Sequence, residues 1–327
     1  MALPRLSVVV PNYNHGGHLR ACLQALLDQS VPPDEILVID DASTDDSMEV
    51  LAGFARTQPS IRIVRNEQNQ GVVAGMNRGI ELAPGKYCYF AAADDLVLPG
   101  LFERSLRLLA EHPQAALSCT ISEWRDADAD LRWPMGAGMA NDAGYLSPDT
   151  LVKLGLQGRL FIASHCSIFR KQALVDIGGF VPDLRWHCDW YACYGTAFRH
   201  GLCYVPETLS LVNLHPRSYY GSGRSGPDHR KVLLKLLELL TARAMRDVAG
   251  RVRDSGALGL FGVPMLRAVA MHPAYRQFLS WPLLRRSVWR SLQLMGRRHF
   301  PPWLARLCLR TLYPVPPQPG AAEGPHR

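Results

Sequence analysis

Glu35-Ile-Leu-Val-Ile-Asp40-Asp41 and Lys86-Tyr-Cys-Tyr-Phe-Ala-Ala-Ala-Asp94-Asp95 are two short apolar runs that each end in adjacent aspartates. Runs of this length, rich in β-branched and aromatic residues, read as strands. Each delivers carboxylates at its C-terminal end. Around them the pattern alternates. Arg5–Pro11, Glu35–Asp40, Ile61–Arg65 and Tyr87–Ala92 read as strands; His18–Gln29, Ser43–Arg56, Gly71–Leu82 and Leu101–Glu111 read as helices. Leu19, Leu23, Leu26 and Leu27 share one helical face. Ser43 is placed to cap its helix, with Asp45 and Asp46 favourable at the dipole. Such alternation predicts an α/β fold, a Rossmann-like and mostly parallel central sheet with helices on both faces. Ligands of these sheets bind beyond the carboxyl ends of the strands. Both aspartate pairs fall at that edge.

Further along, residues 123–147 are polar and rich in Gly and Met, and read as a loop or excursion. Ala163–Phe169 reads as a strand followed by a helix that stops at Gly178-Gly179. Trp186–His200 reads as a helix and Gly201–Pro206 as a short strand. A Gly/Ser/Arg loop over Arg217–Asp228 precedes one long helix, Arg230–Arg253, and basic segments interrupted by Pro264, Pro273, Pro282 and Pro301-Pro302.

The chain has 327 residues, of which 47% are hydrophobic and 20% charged, as in ordinary globular proteins. Its eight cysteines are scattered without a Cys-x-x-Cys pair, which argues against a zinc site or disulfide framework and for buried reduced thiols. No apolar run reaches the roughly 18 residues of a membrane span, and the N-terminus reads directly into a strand, so a cytoplasmic protein is expected. The charge is divided. Residues 1–227 carry 19 basic and 24 acidic residues; residues 228–327 carry 17 and 5. Between Ser255 and Ala322 there are nine arginines and no acid. The segments Trp281–Met295 and Trp303–Tyr313 mix Arg with Leu and Trp, which suits helices lying on an anionic membrane surface, a helical cap, or a homo-oligomer interface. No nucleic-acid reading motif accompanies the charge, so nucleic acid is not an expected partner.

Several motifs carry chemistry. Asp94-Asp95 at a strand end suits Mg²⁺ or Mn²⁺, hard cations that take one or two carboxylates plus substrate phosphates. The carboxylates of Asp40-Asp41 can accept from a pyrimidine ring N–H, although a capping role is as good a reading. Pro11 and Tyr13 open the first strand-to-helix turn and can face a base or ribose, or form a plain turn. The Asn- and Gly-rich stretch Asn66–Gly79, with Asn69 in its loop, can bind sugar or phosphate oxygens, or serve turns and helix packing. Gly221-Ser-Gly223-Arg-Ser-Gly226 has the letters of a dinucleotide fingerprint but no following parallel strand, and reads as a loop closing over a ligand.

Taken in order, strand-Pro11-Asn-Tyr13-Asn14, strand-Asp40-Asp41-Ala-Ser43-Thr-Asp45, Asn69-Gln-Gly71, Asn77-Arg-Gly79, Gly85-Lys-Tyr87 and strand-Asp94-Asp95 resemble the family-2 inverting glycosyltransferases of the GT-A fold, over about residues 5–220. The resemblance implies that Asp41 contacts the base, usually uracil. Pro11 and Tyr13 line its pocket, Asp94 lies by the ribose, and Asp95 binds the divalent metal. The family often has another acid where this chain has Ala92. Downstream, Ser164-His165, Gly178-Gly179-Phe180 and His187-Cys188-Asp189-Trp190 resemble the acceptor half, with Asp189 matching the general base. Cys188 stands where Glu is more frequent. His165 is either an acceptor ligand or a buried structural histidine. Asn213-Leu-His215-Pro-Arg217-Ser218 resembles a segment near the diphosphate, with Asn213 replacing Arg, and puts His215 at the metal or phosphate and Arg217 at phosphate.

The resemblance divides the chain into a catalytic part over residues 1–227, a basic helical extension over 228–313 and a disordered tail over 314–327. The donor half of the catalytic part ends near 122 and the acceptor half covers 123–227. The implied reaction moves a sugar from a nucleotide-diphosphate donor to a glycan or lipid-linked acceptor, at the inner face of the membrane. A nucleotidyltransferase on a similar sheet, or a nucleotide-sugar-binding protein without activity, are the rival readings.

Overall fold

The computed structural model describes residues 3–126, 131–214 and 227–299. The first half runs β1 (Leu6–Asn12), α1 (Gly16–Leu27), β2 (Glu35–Asp40), α2 (Ser47–Thr57), β3 (Ile61–Arg65), α3 (Val72–Leu82), β4 (Tyr87–Phe90), β5 (Leu96–Val97) and α4 (Leu101–Glu111). The second continues β6 (Leu117–Asp126), β7 (Leu131–Met135), β8 (Gly144–Leu146), α5 (Pro148–Leu156), β9 (Ser167–Arg170), α6 (Lys171–Val175), α7 (Cys188–His200) and β10 (Leu202–Leu214). Four further helices follow: α8 (Pro227–Thr241), α9 (Arg246–Ser255), α10 (Val263–Met271) and α11 (Trp281–His299).

The strands form one sheet in the order β3-β2-β1-β4-β9-β6-β10-β5, with β7 on β6 and β8 on β10. β1 pairs in parallel with β2 and with β4, and β2 with β3. β9 runs antiparallel to both β4 and β6, so β6 and its parallel neighbour β10 point the same way as β4. The C-terminal ends of β1, β2, β4, β6 and β10 therefore share one edge. The residues just before β9 lie at that same edge.

Strands paired on both sides must be covered on both faces, and the side-chain period of two divides them accordingly. Val8, Val10, Ile36 and Val38 pack with Leu19 and Leu23 of α1 and Phe102 and Leu106 of α4. Val9, Leu37 and Ile39 turn the other way, onto Val73, Met76 and Ile80 of α3. That second core continues through Tyr194 and Phe198 of α7 into Leu236, Leu240, Val248, Val252, Met265 and Leu283. The inner faces of the C-terminal helices are thus built into the core beside α7.

Five sequence expectations are corrected. The helix expected from Ser43 begins at Ser47, because Ser43 is drawn into bonds with β1 (below). The expected loop over 123–147 holds the end of β6 and the hairpin strand β7, where Trp124 faces Trp133 across the pair. The expected short strand at 201–206 is the 13-residue β10. Register shifts around Thr208 carry it past Pro206, so the alternation is interrupted without ending the strand. The single helix over 230–253 is two. Arg199 of α7 donates to the Ala244 carbonyl and pairs with Asp247 at 2.7 Å, holding the break between α8 and α9 from outside. The expected prolines start elements more than they end them: Pro264 and Pro273 open their helical turns.

Gly79 of α3 lies against β1, and a Cβ there would fall inside the Val9 side chain, whereas a Cβ at Gly53 of α2 meets nothing within 4 Å. Gly79→Ala is expected to destabilise by about 1–3 kcal/mol through overpacking, and Gly53→Ala to stabilise by about 0.5–1 kcal/mol. Urea unfolding midpoints at unchanged m-value check both.

Candidate functional site

The carboxylates that the sequence singled out split into a structural member and several that face the edge. Asp40 is fully buried. It accepts from the Asn12 side-chain amide at 3.0 Å and the Ser43 N–H at 3.2 Å, and lies 3.5 Å from Arg65 Nε. The Ser43 hydroxyl accepts from Asn12 at 3.2 Å and from the Asn14 N–H at 3.0 Å, which fastens the ends of β1 and β2 together. Asn14 and Ala42 adopt positive φ of 55° and 62° in these turns, a conformation that costs a residue with a Cβ.

Asp41 is also buried, but its partners lie on the next turn. Its carboxylate accepts from the Asn66 amide at 2.7 Å, from the Gln70 N–H at 2.9 and 3.0 Å, and from the Gly71 N–H at 2.7 Å. Arg78 donates to the carbonyl of the same Asn66 side chain. Three donors thereby engage both oxygens of Asp41, and the loop entering α3 is fixed. The Asn69 side-chain oxygen accepts from the Gly71 N–H at 3.0 Å within that loop. Asn77, at the far side of α3, exchanges bonds of 2.7 and 3.0 Å with the Phe180 backbone and so serves packing. Beside Asp41 an open pocket is lined by Ala42, Arg65, Asn66 and Glu67. Pro11 pairs with Ile39 beneath the edge, and Tyr13 stands 43% exposed above it.

Asp94 and Asp95 sit between β4 and β5. Asp95 Oδ1 accepts from the Asn213 N–H at 3.1 Å, and the Asn213 side-chain amide donates to the Asp94 carbonyl at 2.9 Å. Burial and then the Asp94 charge push the Asp95 carboxyl up to about 8, against the lowering effect of the Asn213 N–H. Behind the pair, the Cys22 thiol donates to the Ala92 carbonyl at 3.6 Å and is pushed up to about 12, by burial first and then by both carboxylates. A half-buried acid pair with this penalty is a fitting seat for a divalent cation. No group of three or more metal-ligating side chains converges among the described residues. Two carboxylates therefore leave most of the coordination to phosphate and water. His215 and Arg217 lie outside the described residues, as does the Gly221–Gly226 loop.

Asp189 lies in the first turn of α7. Burial raises its carboxyl above the ordinary range, while hydrogen bonds from Ser164 and from the Cys188 thiol, 3.8 Å away, pull it back. The Cys188 thiol itself is driven far up by burial and stays protonated. Ser164 and His165 share one turn. The Tyr89 hydroxyl donates to the His165 carbonyl at 2.7 Å, and Asp95 is close enough to add to the upward shift of Tyr89. The turn at 164–166 thus touches Asp189 through Ser164 and Tyr89 through the His165 carbonyl. Burial holds the His165 ring down to about 4, so it is neutral. Its ring is 5.9 Å from Trp124, and its Nε2 is buried without a partner among the described residues. At the mouth of α7, His187 Nε2 lies 3.2 Å from His229 Nε2, and its ring packs 4.5 Å from Phe261. Trp190 stacks on Tyr194 at 4.7 Å and meets Phe261 at 5.2 Å.

Asn66, Ser164 and the backbone of Gln70 and Gly71 were not individually legible as partners of the acids. Only the density of amides around 66–77 hinted at them. Asn213 departs from the family pattern in sequence, and in the structure it clasps both aspartates.

A parallel 3-2-1-4 half-sheet with acids at its C-terminal edge, continued by mixed strands and an acid-bearing helix, defines the GT-A class of glycosyltransferase fold. The chain belongs to glycosyl transferase family 2, whose model matches residues 7–178. It is 32% identical over 245 residues to the uncharacterised glycosyltransferase YibD of Escherichia coli (strain K12), covering 72% of this chain and 70% of that one. Among solved structures, Staphylococcus aureus TarS 1–349 in complex with UDP-GlcNAc superposes with a TM-score of 0.63 at 16% identity, covering 94% of this chain and 91% of that one. The mannosyltransferase PcManGT of Pyrobaculum calidifontis, in complex with GDP-Man and Mn²⁺, gives 0.54 at 17% identity, covering 91% and 89%.

The raised Asp95 carboxyl makes a stability prediction. An acid whose folded pKa lies above its unfolded value binds its proton more tightly when folded. Without a cation, stability is therefore lost as pH rises from the ordinary carboxylate range to about 8. Asp95→Asn removes this loss. The variant is expected to melt several degrees above wild type at pH 8–9 in chelator and to show no such gain near pH 4. Scanning calorimetry across pH checks the sign.

Proposed function

We propose that this protein is an inverting, metal-dependent sugar transferase. It takes a nucleotide-diphosphate sugar, a UDP-sugar foremost, and a glycan or lipid-linked acceptor, in cell-surface polysaccharide or glycoconjugate synthesis at the cytoplasmic face of the membrane. Family membership supports sugar transfer. The solved relatives that hold UDP-GlcNAc, or GDP-Man with Mn²⁺, support the donor class and the cation. The observation that carries the chemistry is Asp189, a single carboxylate made more basic by burial and hydrogen-bonded by Ser164, whose neighbour His165 accepts at its carbonyl from Tyr89, close to Asp95.

In this reading the base and ribose lie over Pro11, Tyr13, Asp41, Asn69 and Asp94. Asp41 orders the loop at 69–71, and a base N–H reaching its carboxylate exchanges with one of the bonds already there. Asp95, with Asp94 beside it at the ribose, would hold Mg²⁺ or Mn²⁺, with His215 and Arg217 joining at the metal or diphosphate. A cation bound there neutralises the charge that the leaving diphosphate gains. Asp189 accepts the acceptor hydroxyl proton as that oxygen bonds to C1 of the sugar and the bond from C1 to the diphosphate oxygen breaks on the opposite face. His165, neutral and with a buried ring nitrogen that has no partner among the described residues, contacts an acceptor only if its pocket opens.

Asp189→Asn is expected to lower kcat by about 10²–10⁴-fold and to leave donor-induced thermal stabilisation intact. In wild type, kcat rises with pH through an apparent pKa above the usual carboxylate range, the direction in which burial moves Asp189. Turnover with a panel of nucleotide sugars and Mn²⁺, assayed for nucleoside diphosphate release, measures both. Undiminished turnover by the variant would remove Asp189 from the role of base, and pyrophosphate as product would replace the reading by nucleotidyl transfer.

A further inference from the structure

Helix α11 turns an apolar face outward. Trp281 is 72% exposed, Leu292 55%, Trp289 53%, Val288 44% and Leu284 38%. At 100° per residue these five lie within an arc of about 140°. Leu283 and Ser287, on the other side of the helix, are fully buried. Leu279 and Met271 add exposed apolar surface next to its start. A water-facing stripe of this size marks an interaction surface.

The charge around it selects the occupant. Several arginines before Ser255 meet carboxylates: Arg199 with Asp247 at 2.7 Å, Arg185 with Asp228 at 3.1 Å and Arg251 with Asp149 at 3.6 Å. The stretch from Ser255 to Ala322 brings nine arginines and no acid, and Arg267, Arg276 and Arg285 are exposed. Docking a second copy through the same face would press these cations against their own equivalents. An anionic lipid surface instead takes up the apolar side chains and neutralises the arginines together.

The helix is anchored where this matters. Arg285 and Arg286 donate to the carbonyls of Leu156 and Leu160. Gly259 and Gly262 lie directly under Arg286, Ser287 and Ser291. Between those glycines stands Phe261, which touches His187 and Trp190 on either side of Asp189. Helix α11 thus packs on the turn whose Phe261 contacts the start of α7.

We propose that α11 lies flat on an anionic bilayer, with Trp281, Leu284, Val288, Trp289 and Leu292 at the headgroup boundary. Presentation of a lipid-linked acceptor to Asp189 from that bilayer rests on the proposed function; the binding itself does not. The test is co-sedimentation of the full chain with vesicles of phosphatidylcholine alone and of phosphatidylcholine with phosphatidylglycerol. Wild type is expected to bind the anionic vesicles, to bind neutral ones less, and to release as salt rises. Val288→Glu with Leu292→Glu is expected to cut binding at least about tenfold, at an unchanged melting temperature and unchanged donor-induced stabilisation. Failure of wild type to bind anionic vesicles overturns the proposal, as does equal binding by the double variant. So does a wild-type dimer that the variant turns into monomer without any vesicle binding. Vesicle binding without sugar transfer would leave this inference standing and remove the function proposed above.

Discussion

A strand hydrogen-bonded in parallel on both sides has to be roofed on both faces, and β1, held between β2 and β4, imposes that condition on the whole molecule. Its alternate residues feed two separate cores, one under α1 and α4 and one under α3 and the C-terminal helices. Parallel pairing also forces each connection to cross back over a face, so the turns after β1, β2 and β4 gather at one edge. The chain reverses its direction of spread there, from β3-β2-β1 towards β4, and opens the crevice in which ligands of such sheets sit.

The acids at that edge have different work, and their partners tell them apart. Asp40 is enclosed by Asn12, Ser43 and Arg65 and belongs to the scaffold. Asp41 holds the entry to α3. Asp95 is left with a backbone N–H from Asn213 against a costly burial, and Asp189 with one hydroxyl and one thiol. A carboxylate that is satisfied stabilises the fold; one that is buried and under-compensated is available for chemistry. By that criterion Asp95 and Asp189 stand apart from Asp40 and Asp41, as the proposed function requires. The C-terminal helices divide in the same way. Their inner faces extend the core, while α11 keeps an apolar outer face and arginines with no carboxylate of their own segment to meet.

Much of the donor half was legible because its signals are local. Val8-Val9-Val10 and Ile36-Leu37-Val38-Ile39 are strands by composition, and the carboxylates that follow them are adjacent in sequence. What escaped was set at long range. Ser43 has a capping residue's chemistry, but its hydroxyl meets Asn12 and Asn14, some thirty residues away. Trp124 and Trp133 form a strand pair only because β6 already has β9 and β10 to extend. β10 hides behind Pro206 and its register shifts, and the break after Thr241 is held by Arg199 from another helix. For the site, residue types were readable and partners were not. Neither Ser164 with Asp189 nor Asn213 with Asp95 has a spacing that marks it.

The clasp from Asn213 has a bearing on how the molecule is made. Asp94 and Asp95 emerge early, after three βα units and β4, whereas Asn213 of β10 lies 118 residues beyond Asp95. Contacts of such sequence separation form late, because the intervening chain has to be ordered first. During synthesis the donor half can fold on the emerging chain, yet its acidic pair stays unclasped until the last strand docks. The turns after β1 and β2 are thus assembled before the part that sets the acid pair, and a chain interrupted before residue 213 carries both aspartates without the geometry that unites them.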